Sequence, residues 1–156
     1  MFTLMVMCGL PGSGKSFFAE SYCKNHSDYT VVSTDKIRGE LFGYESDQSN
    51  NWLVFVEAYR RILSALDNSN VIFDATNLTR KNRNKVIKYF RKVSPNTKLI
   101  CMCMGTPIEV CLIRNKNRDR QVDEEVILNM LNKFELPTLE EGWDDVQFNM
   151  MRVDEC

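Results

Sequence analysis

The chain has 156 residues, of which 44% are hydrophobic and 26% charged, and its formal net charge is −1. That length favours one domain spanning residues 1–156, since domains usually run ~100 to 200 residues, and the balance excludes a disordered or collagen-like chain. No apolar run is long enough to span a bilayer and the amino terminus carries no basic leader, so a cytoplasmic protein is expected, in the host cytoplasm if a phage encodes it.

Thr3 to Cys8 is a short apolar run closed by glycine and reads as the first strand. A glycine-rich turn follows, and a helix is expected to open near Lys15. Tyr29 to Ser33, Val71 to Asp74 and Lys98 to Cys103 repeat the style of the first strand. Between them, Trp52, Phe55, Val56, Tyr59, Ile62, Leu63 and Leu66 recur at helical spacing and are assigned to a core-facing helix. Val86, Ile87, Phe90 and Val93 mark another. Thr106, Pro107 and Glu109 have the order of an N-cap, a first-turn proline and a capping-box glutamate, predicting a helix to about Asn117. Asp123 is placed to cap the next helix, with Val126, Ile127, Met130, Leu131 and Phe134 on its buried face. After Pro137 the chain turns acidic, then apolar from Val146 to Val153, where a last strand is expected. Strands alternating with helices imply right-handed crossovers, hence an α/β fold with a parallel sheet of four to five strands and helices on both faces.

Six cysteines form no CxxC pair and His26 is the only histidine, which excludes zinc held at finger spacing. Cys101 and Cys103 alternate on a strand and are assigned to packing.

Residues 9–16 read GLPGSGKS, the phosphate-binding pattern G-x-x-x-x-G-K-[ST], between a predicted strand and a predicted helix. Gly9, Gly12 and Gly14 let backbone amides approach an anion, and the helix start adds the positive end of its dipole. Lys15 is then expected on the β and γ phosphates of ATP and the Ser16 hydroxyl on magnesium. No NKxD-type guanine reader is present, and Asp74 is followed by Ala75 rather than a water-activating glutamate, so regulatory GTPases and motor ATPases are disfavoured. A small phosphotransferase remains, which must deprotonate an acceptor hydroxyl in line with the γ phosphate.

Ligands of open α/β sheets gather at the carboxyl ends of strands, and Asp35 directly follows one. It is the candidate base; the competing role for Thr34 or Asp35 is that of a helix cap. Arg38, three residues on, shares its helical face and is the candidate grip on an acceptor phosphate. The cluster Arg114, Asn115, Lys116, Asn117, Arg118, Asp119 and Arg120 between two predicted helices reads as a lid, about 114–124, whose arginines neutralise charge on the transferring group.

GLPGSGKS, STDKIRG, DATNLTRKNR, RNKNR and ELPTLEEGWDDV, in that order, resemble the 5′-polynucleotide kinases, the kinase domain of phage and bacterial end-healing enzymes. The resemblance implies a P-loop kinase fold with a helical lid and transfer of the ATP γ-phosphate to the 5′-hydroxyl of DNA or RNA. It implies Asp35 as general base, with Lys15 and the lid arginine Arg118 beside it in catalysis. Gly12, Ser13, Gly14, Lys15, Ser16, Arg114 and Arg118 are implied for the donor, Asp35, Arg38 and Asn77 for the acceptor, and Ser16 and Asp74 for magnesium. Asp74 stands one place earlier than the aspartate of the phage-type pattern, which leaves it either a magnesium duty or packing support for the phosphate loop. Kinases of seryl-tRNA and of hydroxymethyl bases in DNA share DATNL-like segments and stay open, as do a small alcohol or nucleoside acceptor and a non-kinase NTP-binding module. No partner beyond a nucleic-acid substrate is implied, and the oligomeric state is open.

Charge is unevenly spread: residues 80–118 carry 11 basic side chains and 1 acidic one. On the predicted helix from Arg80, basic residues at 81, 85, 88 and 92 form a stripe opposite Val86, Ile87 and Phe90. An amphipathic solvated face accounts for it, and a track for a nucleic-acid backbone is the alternative.

Overall fold

A computed structural model describes residues 1–150. The apolar runs become five strands, β1 (Thr3–Cys8), β2 (Tyr29–Ser33), β3 (Asn70–Asp74), β4 (Lys98–Met104) and β5 (Asp145–Asn149). They pair in parallel in the order β2-β3-β1-β4-β5. The last strand thus begins one residue before its expected start, and positions 151–153 of the expected strand lie outside the described residues.

β1 lies at the centre and is buried from Leu4 onward. Strand side chains alternate between faces, so β1 feeds two cores at once. Leu4, Val6 and Cys8 join Phe73, Cys101 and Cys103 under α3 (Asn51–Ala65) and α4 (Arg80–Val93), through Val54, Ala58, Ile62, Val86, Ile87 and Phe90. Met5 and Met7, with Ile72 and Met102, face Ala19, Phe18 and Tyr22 of α1 (Lys15–Asn25). The packing role expected of Cys101 and Cys103 agrees with their burial.

Helix α3 departs from its expected stripe. Its fully buried line is Val54, Ala58 and Ile62, spaced four apart, whereas Trp52 is 74% exposed in the first turn and Val56 is also exposed. Phe55 and Tyr59 flank that line and meet Phe73 edge-on. Trp52 is therefore not a core residue.

Three caps place the elements that matter for the site. Helix α2 (Thr34–Phe42) is capped by the Ser33 hydroxyl, so Thr34 and Asp35 are both released from capping. Thr79 caps α4 through the Asn82 amide at 3.2 Å. Asp123 caps α6 (Glu124–Lys133) as expected, through the Glu125 amide. Helix α5 (Ile108–Lys116) has no side-chain cap, contrary to the role expected of Thr106. The Thr106 hydroxyl instead donates to the Ser13 carbonyl at 2.7 Å, pinning the loop that follows β1. On α6 only Ile127 is fully buried, and Val126 and Leu131 are exposed rather than inward. The lid segment is less helical than expected, comprising the end of α5 and the loop from Asn117 to Asp123.

Candidate active site

The switch point of the sheet lies beside β1: the chain runs from β1 out to β2, returns through β3 and then crosses past β1 to β4, and the crevice above the strand ends at such a reversal is where these sheets bind ligands. A cavity of about 1000 Å³ opens there. The phosphate loop, Asp35 and Arg38 of α2, Asp74 at the end of β3 and Arg114, Arg118 and Arg120 of the lid all line it.

The loop's shape follows from its glycines. Gly12 has φ +78° and Gly14 φ +94°, the left-handed region that side chains disfavour. At Gly12 space is also lacking, since a Cβ would collide with the Cys111 carbonyl oxygen on α5. Gly12→Ala is therefore expected to displace the loop or α5, costing roughly 1–2 kcal/mol for the backbone conformation alone. A lowered Tm together with lost ATP binding by titration calorimetry is the expected result.

Lys15 opens α1 and lines the cavity, although it is only 8% exposed; its ammonium donates to the Leu10 carbonyl at 2.8 Å. Burial pushes its pKa down, opposed by the charges of Asp74 and Asp35. Both carboxylates therefore act electrostatically on the lysine of the phosphate loop. Ser13 does not line the cavity: its amide closes a turn on the Leu10 carbonyl, and its buried hydroxyl has no partner among the described residues.

The Ser16 hydroxyl donates to Asp74 Oδ2 at 2.7 Å. These are hard oxygen donors on the cavity wall, the chemistry that suits magnesium, which uses one or two carboxylates plus substrate phosphates rather than an all-protein cage. Among the described residues no cluster of three or more His, Cys, Asp or Glu side chains is placed to hold a metal ion. Asp74 also accepts, through its backbone carbonyl, a bond from Thr34 at the start of α2.

Asp35 is held on both oxygens. Arg38 Nη1 donates to Oδ1 at 2.6 Å, and Arg120 Nη1 lies 3.2 Å from Oδ2. Arg120 also pairs with Glu45 at 3.3 Å, so the lid segment is tied to α2 and the loop that follows it. Arg38 is nearly buried, and its Nε and Nη2 both donate to Asn51 Oδ1, at 3.2 and 3.0 Å. Asn51 is in turn oriented by its own donation to Gln48 at 2.7 Å. Burial lowers the Arg38 pKa, Asp35 raises it, and the like charge of Arg120 lowers it; a guanidinium nonetheless stays charged.

Arg114 lies against the loop, with Nη1 3.3 Å from the position of a Gly14 Cβ. Arg118 is exposed at the cavity; its amide donates to the Asn115 carbonyl at 3.3 Å, and among the described residues its guanidinium makes no hydrogen bond or ion pair. Asn77, like Ser13, is an expected site residue that does not line the cavity. It is buried with φ +46°, and its amide donates to the Met7 carbonyl at 2.9 Å, so it braces the turn after β3 against β1.

Sequence reasoning missed three partners: Asn51 behind Arg38, Arg120 on Asp35, and an ion pair beneath the site. There Arg83, fully buried on α4, binds Glu141 through two bonds of 2.8 and 2.7 Å. It also donates to the Asn77 and Leu78 carbonyls at 3.1 and 3.0 Å. Trp143 Nε1 completes the set by donating to Glu141 Oε2 at 3.1 Å.

Set beside known proteins, residues 4–137 match the family described as AAA domain (AAA_33). Over 153 residues the chain is 31% identical to the L-seryl-tRNA(Sec) kinase of Methanococcus maripaludis, covering 90% of this chain and 56% of that protein. A chain from the Pnkp1/Rnl/Hen1 RNA repair complex superimposes with a TM-score of 0.71 at 20% identity, covering 85% of this chain and 43% of the other. A gluconokinase from Sinorhizobium meliloti 1021 superimposes with a TM-score of 0.64 at 18% identity, covering 98% of this chain and 86% of the other. The fold is that of the P-loop kinases. The chain spans about half the length of the curated relative it matches.

Proposed function

The chain belongs to the AAA domain family, and from that premise we propose that it is a kinase that moves the γ-phosphate of ATP onto a hydroxyl borne by a nucleic acid. The observation that carries this reading is the position of Asp35 on the same cavity as Lys15, Ser16 and Asp74, each carboxylate oxygen oriented by an arginine.

The loop amides, the start of α1 and Lys15 hold the donor phosphates. Ser16 and Asp74 would hold magnesium, which supplies charge neutralisation on the transferring group. Each Asp35 oxygen keeps a lone pair beyond its arginine bond, and one accepts the acceptor's hydroxyl proton. As that O–H bond breaks, the acceptor oxygen bonds to the γ phosphorus and the bond to the bridging oxygen of ADP is lost. Asp35 then returns its proton to water. Arg118 and Arg114 line the same cavity and would neutralise the charge that gathers on the transferring oxygens, a role worth ~10³- to 10⁵-fold where arginines are known to serve it.

For the acceptor we favour the serine hydroxyl of a seryl-tRNA, because the likeness to the L-seryl-tRNA(Sec) kinase runs through 90% of this chain. The second reading is the 5′-hydroxyl of DNA or RNA, which the Asp35–Arg38 pair favours. Arg38 commits three N–H groups to Asp35 and Asn51, and the others are left for a phosphate beside the reacting hydroxyl.

Labelled γ-phosphate offered with seryl-tRNA, a 5′-hydroxyl oligonucleotide or a free nucleoside tests this directly. Label on seryl-tRNA is the expected result, label on the oligonucleotide instead selects the second reading, and phosphate released with no acceptor labelled overturns both.

A further inference from the structure

One charged surface takes no part in the site just described. Helix α4 buries Arg83, Val86, Ile87 and Phe90 and turns Lys81, Lys85 and Lys88 to solvent. These lysines, with Arg80, Asn84 and Glu135, line a groove of about 470 Å³. Glu135 is the one carboxylate in it, and its Oε2 is already taken by the Arg80 backbone amide at 2.8 Å. Among the described residues none of the three lysines lies within 4 Å of a carboxylate. Arg80 does have such a partner, Glu141 at 3.7 Å.

We infer that this face of α4 is the track on which the phosphodiester backbone of the acceptor-bearing nucleic acid lies, an inference that rests on the proposed nucleic-acid acceptor. Two observations beyond the charge support it. The face is continuous with the active-site cavity: Asn82 lines that cavity, while Lys81, Asn84 and Lys85, its neighbours on the helix, line the groove. The spacing also suits a phosphate ladder, because positions i, i+4 and i+7 span on the order of 10 Å along a helix, against ~3.4 Å of duplex axis per phosphate of one strand. Three unpaired ammonium groups in that length can meet successive phosphates without first breaking an ion pair.

The test is the binding of deacylated tRNA, measured by fluorescence anisotropy from low to moderate salt, for the wild type and Lys81→Gln/Lys85→Gln/Lys88→Gln. Three phosphate contacts contribute about 2.7 to the slope of log Kobs against log salt, or roughly 40-fold in affinity across a fourfold rise in salt. The variant is expected to lose a slope of that order, with ATP affinity unchanged. A control with the same charge loss elsewhere, Lys24→Gln/Lys98→Gln/Lys133→Gln, is expected to keep the wild-type slope. An unchanged slope in the α4 variant overturns the inference, and so does displacement of tRNA by polyglutamate of matched charge as readily as by duplex RNA. The two readings fail separately. Slope lost from a protein that phosphorylates no acceptor keeps the track and sinks the kinase assignment; transfer with an unaltered acceptor KM in the variant does the reverse.

Discussion

Asp35→Asn is expected to cut phosphoryl transfer by ~10²- to 10⁴-fold, the usual contribution of a positioned general base, while leaving ATP binding in place. The reason lies in the geometry. Asp35 shares the cavity with the loop, and its carboxylate bonds to Arg38 and Arg120 rather than to a loop residue. An amide of the same size keeps an oxygen for one arginine but presents an N–H₂ to the other and cannot take a proton. Single-turnover transfer together with nucleotide titration separates the two effects. Transfer at the wild-type rate would remove Asp35 from the chemistry, and lost ATP binding would make its role structural. Arg38 and Asn51 support it indirectly, because the two bonds from Arg38 to Asn51 fix the guanidinium that orients Oδ1.

The second large effect concerns stability. Arg83 and Glu141 have fully buried side chains; removing Glu141 leaves the Arg83 charge without its carboxylate, and removing Arg83 leaves Glu141 only the more distant Arg80 at 3.7 Å, at a cost of about 3–5 kcal/mol. For a chain of this size that corresponds to a fall in Tm on the order of 10 °C in calorimetry. Replacing both together, as Arg83→Met/Glu141→Leu, is expected to recover much of the loss, since no unpaired charge then remains. The effect carries a pH signature. Burial pushes the Glu141 carboxyl up, but the hydrogen bonds from Arg83 and Trp143 and the Arg83 charge prevail and hold it below its ordinary value of 4.5. A carboxyl depressed on folding contributes stability above its unfolded pKa and loses it as pH falls through the folded one. The penalty of Glu141→Gln is therefore expected in full at pH 7, shrinking once the pH drops below about 4.3. A penalty independent of pH down to the acid limit would show that the ion pair adds nothing over a neutral hydrogen bond.

The donor half was legible because its chemistry fixes both residue type and spacing. A strand, three glycines, Lys15 and Ser16 admit few other arrangements, and Asp74 meets Ser16 because β3 runs parallel beside β1. Asp35 and Arg38 were legible as a pair three apart on one helix. What escaped was side-chain environment. Arg83 lies in a basic run and reads as a surface residue, yet it shares the helical phase of Val86, Ile87 and Phe90, the signal that would have marked it as buried. Asn77 reads as a ligand by its motif, but its positive φ and its bond to Met7 are set by the turn that joins β3 to α4. Trp52 and Arg120 were misjudged or left open for a shared reason: hydrophobic spacing says nothing of where a helix stops touching the sheet, and a lid's contacts depend on a distant loop.

The two sides of β1 differ in stiffness. Toward α3 and α4, Phe73 meets the rings of Phe55 and Tyr59, flat groups with few torsions that fix their neighbours in place. Toward α1 the bed is Met5, Met7 and Met102, unbranched thioethers that re-settle around a displaced neighbour at little cost. The helix bearing Lys15 and Ser16 therefore rides on the compliant cushion of the sheet, and small adjustments of that helix need not propagate into the rigid half of the molecule.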